Sequence, residues 1–307
     1  MTDVTQSRAA RLPTTRFGLW LHGARPQTLV ISLAPVIVGA AYAWGLAERF
    51  AAGPVAAAAL SAVAIQVATN LANDAADAAS GVDGPGRAGP PRLAGSGVLS
   101  ARTVRLGALV ATLVAAAFGL IAVLAGGWPI LAIGLASILA GWTYSFGPRP
   151  ISASPLGEVF VIVFFGVLAV SGIVWLGARQ WDATALLLGL AIGLPAGAVL
   201  TANNHRDREL DARAGRRTLA IRLGPQASVW LYGAQVTGAS LIAALALAPL
   251  TGAGAGLVAL TGLGGLWMTA RFARTPVSPA LSRRLAETAQ AGMALALLIA
   301  AVLVIRP

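Results

Sequence analysis

Nine stretches of about 20 apolar residues, near 27–46, 54–79, 101–125, 128–146, 157–177, 183–207, 226–249, 253–271 and 284–305, dominate this chain of 307 residues. A helix rising about 1.5 Å per residue needs about 20 such residues to cross a hydrocarbon core of about 30 Å. Within lipid, backbone N–H and C=O groups must be satisfied inside the chain, so the stretches predict helices. The expected fold is therefore all-α: a polytopic membrane protein with about nine transmembrane helices. Hydrophobic residues at 57%, charged residues at 11% and a mean hydropathy of +0.77 exclude a soluble globular domain. Cysteine is absent, which removes disulfides, thiolate metal sites and thiol nucleophiles.

The net charge of +11 does not indicate nucleic acid, because the basic residues fall singly and in pairs between apolar runs. All 22 are arginine, and all but three (Arg49, Arg179, Arg306) lie on one side of the membrane when the N-terminus is placed inside. The excess of positive charge on cytoplasmic segments then sets the topology, with plasma-membrane residence expected. Residues 1–26 lack a long apolar core and do not read as a cleaved signal peptide. Phe17, Leu19 and Trp20, among Arg16, His22 and Arg25, predict a short interfacial helix ahead of the first span. The outer connections are short, so one transmembrane domain is expected over 1–307, with 1–26 as its cytoplasmic or interfacial leader.

Against this background the acidic residues are informative. Asp74, Asp77 and Asp83 lie at the end of the second apolar stretch, and Asp207, Glu209 and Asp211 at the end of the sixth, six of the chain's 11 acids. Two carboxylates about 6 Å apart repel by about 3 kcal/mol at an effective dielectric of about 20, and each resists leaving water. A bound cation removes both costs. Gln66, Asn70, Asp74 and Asp77 recur at i, i+4, i+8 and i+11, on one helical face. Asn203, Asp207 and Asp211 repeat the stripe on the sixth helix. Oxygen ligands on two parallel helices suit Mg²⁺, which keeps waters and bridges a few carboxylates to substrate phosphates. The expected metal set is Asn70, Asp74, Asp77, Asp83, Asn203, Asp207 and Asp211, with the choice between Asp77 and Asp83 as second ligand of the first cluster left open.

Each cluster is followed by a loop rich in arginine and glycine, GPGRAGPPRLAGSG at 84–97 and ARAGRRTLAIRLG at 212–224. Any one of these arginines alone reads as a topology marker, but guanidinium forks beside a metal suit diphosphate oxygens. Arg87, Arg216 and Arg217 are the candidate clamps. Tyr144 and Arg149, in YSFGPRP after the fourth helix, reach the same level. Glu158 opens the fifth helix, where an acid complements the helix dipole. His205 falls on a different face from Asp207 and reads as a packing residue. Gly189, Gly193 and Gly197, four apart, form a small-residue stripe for close helix contact.

Taken together, NLANDAADAASGVD at 70–83, GPPRLAGSG, YSFGPRP, LGEVFVIVFFG at 156–166 and NNHRDRELDARAGRRTLAIRLG at 203–224 resemble the UbiA-type intramembrane aromatic prenyltransferases. Within that family they look like the 1,4-dihydroxy-2-naphthoate polyprenyltransferase branch, with ARPQTL at 24–29 in keeping. The resemblance runs from about residue 24 to 225 and is compositional beyond. It implies a helical bundle with a central cavity open to the cytoplasmic side. It also implies Mg²⁺-dependent transfer of a polyprenyl group from its diphosphate to 1,4-dihydroxy-2-naphthoate, with decarboxylation, giving demethylmenaquinone. Asp74, Asp77, Asp207 and Asp211 would be catalytic, and Asn70, Arg87, Tyr144, Arg149, Asn203, Arg216 and Arg217 would bind diphosphate. Many members of the family place a lysine where Arg149 stands. A different acceptor such as 4-hydroxybenzoate is the alternative within the family. A secondary transporter of an anionic solute fits poorly, since the acids sit near one face and not at the midplane.

Overall fold

The computed structural model describes residues 12–81 and 89–305, and among them secondary structure is helical throughout, without strands. A nine-residue helix, α1 (Arg16–Ala24), precedes the spans, its start capped by the Thr15 hydroxyl accepting from the Gly18 amide at 3.1 Å. Leu19 turns inward, while Phe17 is exposed. Arg25 takes a left-handed conformation (φ 53°), and Pro26, with its preset φ and no amide hydrogen to satisfy, opens α2.

The described residues contain nine helices long and apolar enough to cross a membrane. These are α2 (Pro26–Trp44), α3 (Ala52–Ala79), α4 (Ala101–Gly126) and α5 (Trp128–Ser145), then a fifth span made of α6 (Gly157–Ile162), a π turn (Val163–Val167) and α7 (Leu168–Ala178). They continue with α8 (Ala183–Arg213), α9 (Leu219–Thr251), α10 (Ala253–Arg274) and α11 (Pro279–Ile305). The protein is thus a multi-pass membrane protein.

The boundaries differ from expectation at one functionally important place. The sixth span runs on to Arg213, well past residue 207, and α9 starts at Leu219 and not at 226. Helical hydrogen bonding continues through the polar end because its side chains find partners. The ladder breaks later, at Gly224 (φ 77°) before Pro225, inside α9. The expected long loop at 208–225 contracts to five residues, 214–218. Asp211 is therefore held on rigid helix and Arg216 on a tight turn.

Within the bundle α3 packs on α4 and α5, α8 on α9, α11 and the π turn, and α9 on α10, while α11 returns to α2. The largest buried cluster joins α2, α7, α8, α9, α10 and α11 through small side chains, among them Ala191, Ala239, Ala243 and Ala296. Lipid tails are as apolar as leucine, so helices associate through close packing. The glycine stripe shows how close: a Cβ on Gly193 would lie 2.5 Å from the Ile162 carbonyl oxygen, and one on Gly189 2.7 Å from the Val167 Cα. The π turn of the fifth span lies against this stripe.

At the end of the bundle away from the acid clusters, Asp182 and Arg179 have structural partners. Asp182 caps α8 through the Ala185 amide at 2.7 Å and accepts from the Tyr42 hydroxyl at 2.8 Å. Arg179 donates to the Ala125 and Gly126 carbonyls that end α4.

Adding one methyl at the tightest crossing should therefore cost more than at an open glycine. Gly193→Ala is expected to lower the thermal midpoint of the detergent-solubilised protein by several degrees, since overpacking costs about 1–3 kcal/mol. Gly264→Ala, with nothing within 4 Å of the added carbon, should leave it unchanged or raised.

Candidate active site

The C-terminal ends of α3, α5 and α8 and the short turn Ile151–Ala153 meet at one end of the bundle, around a small polar cavity. From α3 the cavity receives Asn73 and Asp77, four residues apart. From α8 it receives Asn203, Asn204, Asp207 and Asp211. Tyr144 at the end of α5 and Arg92 and Arg216 from the following loops complete its charged and aromatic walls. The two acid-bearing helix ends do share a chamber.

What lets the like charges approach is the chain's own arginines. Asp77 accepts from Arg92 at 2.9 Å and, through its other oxygen, from Arg216. Arg216 reaches on to Asp211 at 3.2 Å, so one guanidinium spans the gap between α3 and α8. Burial works against the charge of Arg216, yet the neighbouring Asp77 and Asp211 carboxylates more than reverse this and raise its pKa above the usual guanidinium value. Both oxygens of Asp207 are taken by Arg206, at 2.8 and 2.6 Å, and Arg206 also donates to Asn203 at 2.8 Å and Ser282 at 3.1 Å. The chain's own arginines thus offset the repulsion beside the bound cation expected from sequence. Three guanidiniums already match Asp77, Asp207 and Asp211.

The structure places the remaining expected residues as follows. Asn70 and Asp74 do not line the cavity. The Asn70 amide donates to the Ala24 carbonyl and the Thr28 hydroxyl, both at 2.9 Å, and so steadies the turn between α1 and α2. Asp74 accepts from the Leu93 and Ala94 backbone amides at 2.9 and 3.1 Å. The reason is rotational: at 100° per residue the pair Asn73 and Asp77 is turned by about 60° from the pair Asn70 and Asp74. Arg149 is exposed, and Arg217 is exposed with its backbone amide bonded to the Ala153 carbonyl at 2.8 Å. Asp83 and Arg87 lie outside the described residues. His205 is buried and packs on Phe272 with ring centroids 5.2 Å apart, the packing role expected of it. Glu158 is buried at the start of α6 and accepts from Asn204 at 2.9 Å.

Two residues that face the cavity were missed as site candidates, Asn73 and Asn204, and Arg92 was noted only as a loop arginine. A signal for the first existed. NLANDAAD contains the spacing N-x-x-x-D twice, and only Asn73–Asp77 repeats the position that Asn203–Asp207 takes on α8.

A divalent cation with a hard preference for oxygen fits this donor set. Asp77 and Asn73 on one side and Asn203, Asp207 and Asp211 on the other are oxygen donors on rigid helix. Among the described residues no three acidic or imidazole groups form a metal cage by themselves. Mg²⁺ takes one or two carboxylates and fills its octahedron with water and substrate phosphate.

Known proteins resemble this chain in sequence and in fold. Residues 32–298 match the UbiA prenyltransferase family. Over 218 residues the chain is 39% identical to the 1,4-dihydroxy-2-naphthoate octaprenyltransferase of Mycobacterium tuberculosis, covering 70% of this chain and 73% of that one. It is 37% identical over 218 residues to the enzyme of the same name from Escherichia coli, covering 68% and 70%. Its fold is similar to that of a UbiA homologue from Archaeoglobus fulgidus bound to DMAPP and Mg²⁺, with a TM-score of 0.67 at 16% identity, over 92% of this chain and 99% of that one.

The pairing of Arg206 with Asp207 generates its own test. Removing one partner of a buried ion pair leaves the other charge uncompensated, at a cost of about 3–5 kcal/mol, whereas replacing both by apolar residues is near neutral. Arg206→Met should lower the thermal midpoint clearly, and adding Asp207→Leu should recover most of the loss; midpoints measured in detergent decide this.

Proposed function

The chain belongs to the UbiA prenyltransferase family, and from that membership we propose that it transfers a polyprenyl group from its diphosphate to the ring of 1,4-dihydroxy-2-naphthoate, with diphosphate leaving the prenyl carbon and the carboxylate leaving the ring as CO2, giving demethylmenaquinol, the reduced form of demethylmenaquinone. The names of the relatives above support the acceptor. The observation that carries the reading is the cavity itself: two N-x-x-x-D pairs, Asn73–Asp77 and Asn203–Asp207, face one chamber with Arg92 and Arg216 between them.

The residues account for the chemistry as follows. Asp77 and Asn73 from α3, with Asn203, Asp207 and Asp211 from α8, would hold Mg²⁺ on either side of the diphosphate. Bound there, Mg²⁺ supplies Lewis-acid stabilisation of the charge that grows on the leaving diphosphate. Asp77, Asp207 and Asp211 are already balanced by Arg92, Arg206 and Arg216, so the cavity favours a load whose own charges nearly cancel: cation and diphosphate together. With cation and diphosphate bound, Asp77, Asp207 and Asp211 would hold the cation, and the arginine forks would donate to phosphate oxygens before the carbon–oxygen bond breaks. Arg92 and Arg216, both in the cavity wall, serve as diphosphate donors. Tyr144, Phe160 and Phe164 form an aromatic run beside the cavity, with centroids 5.8 and 4.5 Å apart, whose faces stabilise an allylic cation. The electron-rich naphthoate ring is the nucleophile, so no protein nucleophile is required. Surrounding the reaction with a helical bundle keeps water from the cation and lets a polyprenyl tail remain in apolar surroundings.

The distribution of arginines supports an orientation with this cavity on the cytoplasmic side of the plasma membrane, and the chain acts as a single transmembrane domain.

Purified protein given a polyprenyl diphosphate and 1,4-dihydroxy-2-naphthoate should release diphosphate and yield the prenylated, decarboxylated product, read by mass. Chelation of divalent metal should stop the reaction and Mg²⁺ restore it; an unchanged rate after exhaustive chelation would exclude the metal role. Asn73→Ala and Asp77→Ala should each lower turnover by about 10²–10³-fold, the loss typical when one group stabilising a developing anion is removed. Asn70→Ala, at a packing position, should retain much more activity than either.

A further inference from the structure

Asp74 is among the most buried acids, at 2% exposure, yet its carboxylate does not reach the cavity. Both of its oxygens are occupied, Oδ2 by the Leu93 amide at 2.9 Å and Oδ1 by the Ala94 amide at 3.1 Å. Backbone amides donating to an ionised carboxylate make bonds roughly twice as strong as neutral ones. The same short segment is held at two other points. The Pro91 carbonyl lies 2.8 Å from His22 Nε2 on α1. The Leu93 side chain is fully buried among Leu19, Leu71 and Ala75. Between these anchors stands Arg92, whose guanidinium reaches the cavity and contacts Asn73 at 2.8 Å and Asp77 at 2.9 Å.

We propose that Asp74 is a positioning residue for substrate diphosphate: it binds the backbone of residues 93–94 and thereby presents Arg92, the adjacent residue, to the diphosphate. The inference rests on the function proposed above, and it gives Asp74 a role in place of the metal ligation expected from sequence. An arginine on an untethered loop loses rotational and backbone freedom each time it clamps a ligand; Asp74 removes that cost in advance. The dependence is therefore one-way. Loss of Asp74 acts through Arg92, while metal ligation by Asn73, Asp77 and the α8 residues is left in place.

A double-mutant cycle separates this role from metal ligation. Asp74→Asn, Arg92→Gln and the double variant are compared with the full-length wild type for KM toward the polyprenyl diphosphate, kcat, and the Mg²⁺ concentration giving half-maximal rate. Asp74→Asn keeps the size of the side chain but offers one good acceptor in place of two. It is expected to raise KM about tenfold with kcat within about threefold, the size of one charged hydrogen bond. Arg92→Gln should raise KM at least as far and lower kcat as well, since Arg92 itself donates to the leaving diphosphate; the double variant should be no worse than Arg92→Gln alone, and the Mg²⁺ requirement of Asp74→Asn should match that of the wild type. In parallel, hydrogen exchange at the Leu93 and Ala94 amides should accelerate in Asp74→Asn. Asp74→Ser, with a single hydroxyl acceptor, should fall between and serves if Asp74→Asn folds poorly. Additive losses in the double variant, or a shift in the Mg²⁺ requirement of Asp74→Asn, would overturn the proposal. If the wild type transfers no prenyl group, the proposed function fails instead, and the exchange measurement still decides whether Asp74 holds the loop.

Discussion

A single carboxylate, that of Asp77, joins the two sides of the polar cavity. It sits at the end of α3 with one oxygen on Arg92 and the other on Arg216, and Arg216 continues to Asp211 on α8. Two helix ends carrying like charge would repel by a few kcal/mol at this separation. Interleaved guanidiniums turn that repulsion into attraction and place phosphate-binding groups where a diphosphate would lie. A buried web of this kind contributes little net stability, because desolvation offsets most of the Coulomb gain. Its value is geometric: it holds acids and arginines in register on both sides of one chamber.

That register depends on scaffolding elsewhere. α8 carries six of the cavity residues and must not shift along its axis. The stripe Gly189, Gly193 and Gly197 lets the fifth span approach to backbone contact, where sliding by even one residue would set a side chain against a carbonyl. The chain reserves its polar bonds in the interior for similar ends. Asn70 fixes the turn into the first span, and Thr201 with Gln235, 2.9 Å apart, ties α8 to α9. At the opposite end, Asp182 and Arg179 cap helices and close connections. Asp182 and Arg179 thus serve capping, while Asp77, Asp207, Asp211, Arg92, Arg206 and Arg216 gather at the cavity.

Much of this was legible in the sequence. The spans, the interfacial α1, the glycine stripe and the packing role of His205 follow from hydrophobicity, length and residue size, which act locally. Asp77, Tyr144, Asn203, Asp207, Asp211 and Arg216 were also expected at the cavity and are found there. The errors concern rotation about the helix axis. Asn70, Asp74, Asn73 and Asp77 lie within a sector of about 100°, and spacing alone does not say which edge of the sector faces the cavity and which faces α1 and the loop at 91–94. The extent of α8 was underestimated for a related reason. Hydropathy ends where the polar residues begin, whereas the helix ends only where its side chains run out of partners.

The amino-acid sequence by itself determined that this chain crosses a membrane as a helical bundle, and that hard oxygen donors and arginines gather at one end of it. Those properties follow from the free energy of placing each side chain in lipid, which needs no knowledge of neighbours. Only the tertiary structure decided which asparagine and aspartate of the first cluster meet the second, that Arg92 and Arg216 stand between them, and that Asp74 turns away to hold a loop. These outcomes depend on how α3 is rotated against α1, α4 and α8, and many weak packing contacts acting together set that rotation.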